Sequence, residues 1–246
     1  MSIQINVDQL ISELEVAGTR AGFSVAAYGE VAGYPLLGMI RYGDADSGKA
    51  TYLSAGIHGD EPAAPLALLE LLRSDNLPSP HTFYICPVMN PNGLAAARRE
   101  NADGIDLNRD YTDFHSPEIA AHQDWVLSKI QSVQLALHLH EDWEAQGFYL
   151  YELNFNGHDS RAQAILDAAS THLPIEQSAL IDGHEANEGI IRPKEPPVVA
   201  EGLPEALFFE QRYACLDYTV ETPSGFELEA RVAALKAATL AAICAS

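Results

Sequence analysis

The 246-residue sequence contains only three cysteines, Cys86, Cys215 and Cys244. Their number is odd and they show no C-x-x-C spacing, so a closed disulfide framework is not expected. Cys86 lies in the apolar run FYICPVM and Cys244 in an alanine-rich segment. These settings predict small buried side chains rather than catalytic nucleophiles.

Basic residues are also scarce, since 14 Lys and Arg stand against 35 Asp and Glu and give a formal net charge of −21. Such a surface repels the phosphates of nucleic acids and anionic membranes, so neither is an expected partner. The sequence lacks an uninterrupted apolar stretch long enough to span a bilayer, and its opening segment lacks the basic start of a secretory signal. We therefore expect a cytoplasmic location.

What the sequence does contain is an ordinary globular composition, with 47% apolar residues, and an alternation of apolar segments with two different periods. The length favours one domain over residues 1–246. Helical spacing predicts helices over 7–17, 62–74, 116–130, 159–173 and 226–245, and apolar or alternating runs predict strands over 24–30, 34–43, 50–58, 81–90, 134–140, 147–153 and 214–221. Residues 175–206 show no period and are predicted to form an extended loop or lid. The expected fold is α/β, a mixed and mostly parallel twisted sheet with helices on both faces and a hairpin at one edge.

Reactive side chains follow several of the predicted strands at the ends where ligands gather in open α/β sheets. In the segment HGDE, His58 and Glu61 flank a tight turn before Pro62 and can share one ion. A catalytic zinc takes three protein ligands and leaves a fourth position open, and His and Glu are suitable ligands. The ordinary alternative is that Glu61 caps a helix. The third ligand is expected from QLALHLHEDWE, where we prefer His140 at the strand end to the deeper His138, which suits a hydrogen-bonded core histidine.

Five motifs, HGDE, NPNG, RENADGIDLNRD, LHED and TVETP, occur in the order seen in the zinc carboxypeptidase (M14) family. Across approximately residues 23–226 the sequence resembles a short, cytoplasmic-type member of this family. The resemblance implies a carboxypeptidase-like fold and one zinc ion held by His58, Glu61 and His140. It also implies hydrolysis of an amide bond beside a terminal residue with a free carboxylate, in small peptides or acyl-amino acids.

The same resemblance assigns roles to further residues. Glu221 matches the glutamate that takes a proton from zinc-bound water and returns it to the leaving amine. Arg99 matches the arginine that stabilises the oxyanion, with the adjacent Arg98 as the alternative assignment. Asn108 and Arg109 match the pair that binds the substrate carboxylate. Alternatively, Arg109 is locked in ion pairs with its neighbours Asp106 and Asp110.

Other functions remain open on the sequence alone. One is an N-acyl-amino-acid deacylase resembling aspartoacylase and succinylglutamate desuccinylase, and another is an amidase acting on murein peptides. A third is a zinc-binding protein without turnover. The neighbouring residues His138, His140, Glu141 and Asp142 contain enough ligands for a second metal, although the resemblance implies one zinc. Tyr149 and Tyr151 are candidates for shaping the substrate pocket, although their alternation is also typical of strand core.

Overall fold

The computed structural model describes residues 5–44, 48–74, 76–196 and 202–245. The helices in these residues are α1 (Val7–Arg20), α2 (Ala63–Arg73), α3 (Pro91–Ala96), α4 (Pro117–Lys129), α5 (Ala162–Ala169), α6 (Glu205–Tyr213) and α7 (Leu228–Cys244). The strands are β1 (Ser24–Val31), β2 (Tyr34–Arg41), β3 (Ala50–Ala55), β4 (Thr82–Cys86), β5 (Leu135–Asp142), β6 (Tyr149–Leu153), β7 (Leu180–Ile181), β8 (His184–Asn187), β9 (Ile190–Ile191) and β10 (Leu216–Pro223). None of the described helices combines the length and the apolar character that crossing a membrane requires.

The strands form one mixed sheet in the order β1-β2-β4-β3-β5-β10-β6-β9-β8-β7. Its four central strands, β4, β3, β5 and β10, are parallel to one another. Antiparallel pairs flank them, and the β1–β2 hairpin lies at one edge. The predicted α/β class is therefore confirmed, with parallel pairing concentrated at the centre of the sheet.

Helices cover both faces of this sheet, as buried central strands require. On one face, apolar residues of α1, α2, α5 and α7 join the strands in a single hydrophobic cluster. On the other face, α4 and α6 enclose a second, more aromatic cluster that contains Tyr52, Trp125 and Phe209. The stacked rings of Tyr52 and Phe209, 4.0 Å apart, fix α6 against β3. The second face is the one that carries the candidate site.

Three sequence predictions differ from the structure. The segment after NPNG, predicted to be irregular, begins with α3, and the predicted loop 175–206 contains β7, β8, β9 and the start of α6. Strands of two to four residues and a single-turn helix are too short to show a period, so only their tertiary pairing reveals them. Residues 197–201 of that predicted loop lie outside the described residues. Cys86 and Cys215 are buried as predicted, but the prediction for Cys244 was wrong because it is exposed near the end of α7.

A buried ion pair ties the helical layer of the first face to the end of β5. The Glu141 carboxylate accepts a hydrogen bond from the Ala63 N–H at 2.5 Å, at the beginning of α2, and another from the Arg231 guanidinium of α7. Both charged residues are 5% exposed. Burial raises the pKa of Glu141 to about 7, against the opposing effect of Arg231. The Glu141 carboxylate is thus engaged by α2 and α7, on the face of the sheet opposite to His140.

Removing the cation from this pair should destabilise the fold strongly. Arg231→Met leaves the Glu141 carboxylate buried without a counter-ion, which we expect to lower the free energy of unfolding by about 3–5 kcal/mol. The double variant Glu141→Gln/Arg231→Met should recover part of that loss because no charge is left unpaired. Arg73→Met, which breaks exposed pairs with Glu13 and Glu70, is the control and should cost less than about 1 kcal/mol. Denaturant titration measures all three, and equal losses in Arg231→Met and Arg73→Met would contradict the assignment.

Candidate active site

Register in the sheet brings the polar strand ends together. Ser54 of β3 pairs with His138 of β5, and Glu221 of β10 pairs with His140. In-register residues of parallel strands point to the same face, so the side chains of His140 and Glu221 leave the sheet on the same side. The chain beyond β3 continues past the same edge to His58. The carboxyl ends of three adjacent parallel strands thus supply these side chains, as expected for an open α/β sheet.

A tight turn between β3 and α2 carries His58 and Glu61. A Cβ atom on Gly59 would lie 1.9 Å from the Gly93 carbonyl carbon in α3, so the turn can pack there only with glycine. The Gly59 N–H also donates to the Arg99 carbonyl at 3.3 Å. This close approach places the segment that contains Arg99 directly against the His58 turn.

His58, Glu61 and His140 form a buried cluster whose potential ligand atoms all lie within 4.8 Å of one another. Glu61 Oε1 lies 2.6 Å from His58 Nδ1, and Glu61 Oε2 lies 3.0 Å from His140 Nδ1. The three residues are only 3 to 4% exposed. A buried carboxylate between two imidazoles is one of the ligand sets that hold catalytic zinc.

The donor atoms of this cluster fit a metal ion. Glu61 Oε2 is buried and lies 3.0 Å from His140 Nδ1, but the geometry is not that of a hydrogen bond, and no other described residue supplies a hydrogen-bond donor to it. Native proteins rarely leave such an atom unsatisfied, and a cation would satisfy it. Ligand atoms around a tetrahedral zinc stand roughly 3.3 Å apart, close to the His140–Glu61 separation. The structure therefore places the three predicted ligands together, while their role as ligands stays a prediction.

Asp106 is a member of the site that sequence reasoning did not assign. Its Oδ1 lies 3.2 Å from His58 Nε2, the ring nitrogen opposite the one that faces Glu61. A carboxylate at the far nitrogen of a metal-binding histidine fixes the tautomer and leaves the near nitrogen free for the metal. The sequence feature that points to Asp106 is its position immediately before the LNR segment, although the sequence alone suggests it only as an ion-pair partner of Arg109.

Arg99 enters the site and Arg98 does not. The Arg99 Nε donates to Asp106 Oδ2 at 3.0 Å, and its Nη1 lies 3.3 Å from His58 Nδ1 and 3.9 Å from Glu61 Oε1. Arg98 is exposed, and its guanidinium donates to the Asn101 carbonyl. The two arginines are adjacent in sequence, but only Arg99 lies beside His58 and Glu61 in the structure.

The charges of the site act on one another strongly. Burial lowers the pKa of His58, but the carboxylates of Glu61 and Asp106 outweigh burial and raise it to about 9. Burial would raise the pKa of Glu61, yet His58 and His140 hold it well below its usual range. Glu221, partly exposed at its strand end, has a pKa raised well above the usual value by burial and by the nearby Glu61 and Asp142. These neighbours favour the protonated form of Glu221, and a cation held by Glu61 would favour its carboxylate form.

The predicted carboxylate-binding pair lies in a 3₁₀ turn, Leu107–Arg109. Asp106 caps this turn by accepting the Asn108 N–H at 2.9 Å. Within the described residues Arg109 forms no ion pair with Asp106 or Asp110, and its Nη1 donates to the Asn108 carbonyl at 2.8 Å. Asp110 instead accepts bonds from Ser116. The described residues thus show no ion pair that locks Arg109 between these aspartates, although its nearby charge helps to lower the pKa of Asp106.

His138 belongs to a buried hydrogen-bond network that is separate from the cluster of His58, Glu61 and His140. Its Nδ1 lies 3.0 Å from Glu205 Oε2 and its Nε2 lies 3.1 Å from Asp217 Oδ2. The hydroxyl groups of the two candidate pocket tyrosines also form hydrogen bonds, from Tyr149 to Asp142 and from Tyr151 to Asp182. His138 therefore has the hydrogen-bonded core environment that the sequence suggested.

Comparison with known structures identifies the class of the fold. A candidate metallopeptidase from Shewanella denitrificans matches with a TM-score of 0.83 at 24% identity, over 95% of this chain and 88% of that one. A metallo-carboxypeptidase from Pseudomonas aeruginosa, in complex with (2-guanidinoethylmercapto)succinic acid, matches with a TM-score of 0.66 at 22% identity, over 93% of this chain and 66% of that one. At these identities the matches show the fold, which is that of metallo-carboxypeptidases.

Sequence comparison identifies the family. Residues 47–188 match the model of the succinylglutamate desuccinylase/aspartoacylase catalytic domain, and the chain belongs to this family. Carboxypeptidase SOL1 of Arabidopsis thaliana is 33% identical in an alignment of 89 residues that covers 31% of this chain and 18% of that protein. The M14-like metallopeptidase family predicted from the motifs is thus confirmed, and its members support a hydrolase. The family match ends before Glu221.

Asp106 should control metal affinity through His58. Asp106→Asn keeps the shape but removes the charge that orients the imidazole, so we expect zinc affinity to fall about 10- to 100-fold. Asp103→Asn, an exposed aspartate of the same loop, is the matched control and should bind zinc as the wild type does. Competition with a chromogenic chelator measures both affinities, and unchanged binding in Asp106→Asn would exclude this role.

Proposed function

We propose that this chain is a zinc-dependent hydrolase that cleaves an amide bond beside a residue with a free carboxylate, with residues 1–246 as one catalytic domain. The observation that carries the proposal is the buried cluster of His58, Glu61 and His140, with Glu221 in register beside His140 and Arg99 on the other side. When bound, zinc supplies Lewis acidity that polarises a carbonyl and lowers the pKa of water.

The protein's own groups divide the remaining work. Glu221, in its carboxylate form, accepts the proton of the attacking water and returns it to the leaving amine. The Arg99 guanidinium, held by Asp106, stabilises the negative charge that develops on the scissile carbonyl oxygen. Arg109 presents two parallel N–H donors to the terminal carboxylate, and Asn108 adds a third.

Two substrate classes fit this chemistry. The carboxypeptidase-like fold favours short peptides, and the succinic acid derivative bound by the Pseudomonas relative is consistent with a carboxylate-bearing ligand. The family match favours N-acyl-amino acids such as N-succinylglutamate. Either substrate presents a free carboxylate to the loop of Asn108 and Arg109, so the proposal covers both.

A substrate panel with metal analysis tests the proposal. It contains dipeptides, N-acetyl-amino acids, N-succinylglutamate and a murein tripeptide, each with a free carboxylate and as the matching terminal amide. We expect cleavage in the presence of zinc, loss with a chelator, and a preference for the free carboxylate. Stoichiometric zinc without cleavage of any member would identify the chain as a metal-binding protein without turnover.

Glu221 provides the first mutational test. Glu221→Gln keeps the size of the side chain but cannot accept a proton, so kcat should fall by on the order of 10²–10⁴ while bound zinc stays unchanged. Glu229→Gln, an exposed glutamate of α7, is the control and should retain full activity. Full activity in Glu221→Gln would overturn its assignment as the proton carrier.

The two adjacent arginines provide a matched pair. Arg99→Gln removes the guanidinium that lies 3.3 Å from His58, and kcat should fall about 10²- to 10³-fold. Arg98→Gln changes the charge equally at an exposed position and should leave kcat near the wild-type value. Steady-state kinetics with zinc content measured in parallel separates lost chemistry from lost metal, and equal effects of the two substitutions would contradict the oxyanion role.

A further inference from the structure

The amide of Asn108 is oriented by a backbone group of α6. Its Oδ1 accepts a hydrogen bond of 2.9 Å from the Glu205 N–H, across 97 residues of sequence. Because a backbone N–H can only donate, the accepting atom of the amide must be its oxygen. The Nδ2 group therefore points the other way, and it makes no hydrogen bond with the described residues. The two N–H donors of this half-buried side chain are thus left for a ligand.

The chain just before α6 lies tightly along the same loop. The Tyr111 N–H donates to the Leu203 carbonyl at 3.2 Å, and the Leu203 N–H donates to Thr112 Oγ1 at 3.0 Å. A Cβ atom on Gly202, whose φ is +116°, would lie 1.9 Å from the Arg109 carbonyl oxygen. The start of α6 thus sets the position of the turn that carries both Asn108 and Arg109.

Glu205 also anchors α6 to the sheet through its side chain, which is 1% exposed. Its Oε1 accepts a hydrogen bond from the Tyr52 hydroxyl at 2.6 Å, and its Oε2 accepts one from Ser54 Oγ at 2.8 Å. His138 Nδ1 lies 3.0 Å from the same Oε2. Tyr52 and Ser54 belong to β3, the strand that leads to His58, and His138 belongs to β5. Glu205 therefore connects the loop of Asn108 with β3 and β5, the two strands that lead to His58 and His140.

We propose that Glu205 is a positioning residue for substrate binding: its backbone N–H turns the donor end of Asn108 toward the substrate carboxylate, and its buried carboxylate holds α6 in the place where this is possible. The inference rests on the proposed function, in which Asn108 binds that carboxylate. A free amide would present oxygen as readily as nitrogen, and an oxygen there repels a carboxylate. Loosening α6 should therefore weaken binding far more than chemistry.

The principal test is E205Q in the zinc-loaded protein. A glutamine has one acceptor oxygen in place of two, so it cannot satisfy Tyr52, Ser54 and His138 as the carboxylate does. For the most active free-carboxylate substrate of the panel, we expect KM to rise roughly tenfold with kcat within about twofold. The matching terminal amide should show no comparable change in KM. E210Q is the control, because Glu210 is a buried glutamate of the same helix whose Oε1 accepts from Asn156, away from the loop.

Tyr52→Phe is a second, milder variant that removes one hydrogen bond to Glu205 without altering a charge. It should raise KM in the same direction, by roughly threefold. A readout without substrate is the NMR signal of the Asn108 side-chain NH₂ group, which should shift and broaden in E205Q and Tyr52→Phe but not in E210Q. Unchanged KM and unchanged amide signals in both E205Q and Tyr52→Phe would overturn the proposal. A fall of kcat in these two variants without any rise in KM would overturn it as well.

Asn108→Asp separates failure of this inference from failure of the proposed function. An aspartate still accepts the Glu205 N–H but offers no donor, so it should abolish the preference for a free carboxylate over the amide. If Asn108→Asp changes this preference and E205Q does not, Glu205 is not a positioning residue. If Asn108→Asp leaves the preference intact, the proposed carboxylate site is wrong and the inference falls with it.

Discussion

Parallel pairing of β3, β5 and β10 fixes where the polar ends of these strands meet, and the geometry of the site depends on it. Side chains alternate along β5, so Leu137 and Leu139 pack in the first hydrophobic cluster while His138 and His140 face the other side. A shift of one residue would exchange the faces and bury His140 against α7. Packing of the apolar residues on the first face therefore fixes the register that places His140 beside His58 and Glu61, although these apolar residues lie on the opposite side of the sheet.

Charge is the second constraint. Glu61 and Asp106 both contact Arg99 and His58, and the raised pKa of His58 makes it cationic at neutral pH. Glu61 also raises the pKa of Glu221, in a protein with a formal net charge of −21. Burying carboxylates costs free energy unless cations or hydrogen bonds compensate. A divalent ion between His58, Glu61 and His140 would supply such compensation and would lower the pKa of nearby carboxyl groups. In the proposed function, metal binding and the protonation of Glu221 are therefore coupled.

The sequence was sufficient for features with a local signature. Central strands appear as apolar runs, the long helices have their period, and the ligand motifs lie at strand ends, so the sheet and the cluster of His58, Glu61 and His140 could be predicted. Asp106 could not be assigned, because its contact with His58 spans 48 residues. Glu205 was less accessible still, since it begins a helix in a segment without periodicity and acts through Asn108, 97 residues away. Contacts of this kind exist only after the chain has folded.

The site therefore consists of two physically different parts. In the proposed function, bond cleavage would take place at strand ends whose register is set by a buried parallel sheet, which leaves little freedom for change. Carboxylate recognition would depend on the turn of Asn108 and Arg109, which the start of α6 and a few hydrogen bonds hold in place. Leu107 of this turn is buried in the second hydrophobic cluster, whereas Asn108 and Arg109 are only half-buried, so substitutions at these two positions disturb core packing less than a change at Leu107 would. If the proposed function holds, a carboxypeptidase and an acyl-amino-acid hydrolase can share this hydrolytic centre and differ in the substrate groups that the turn binds.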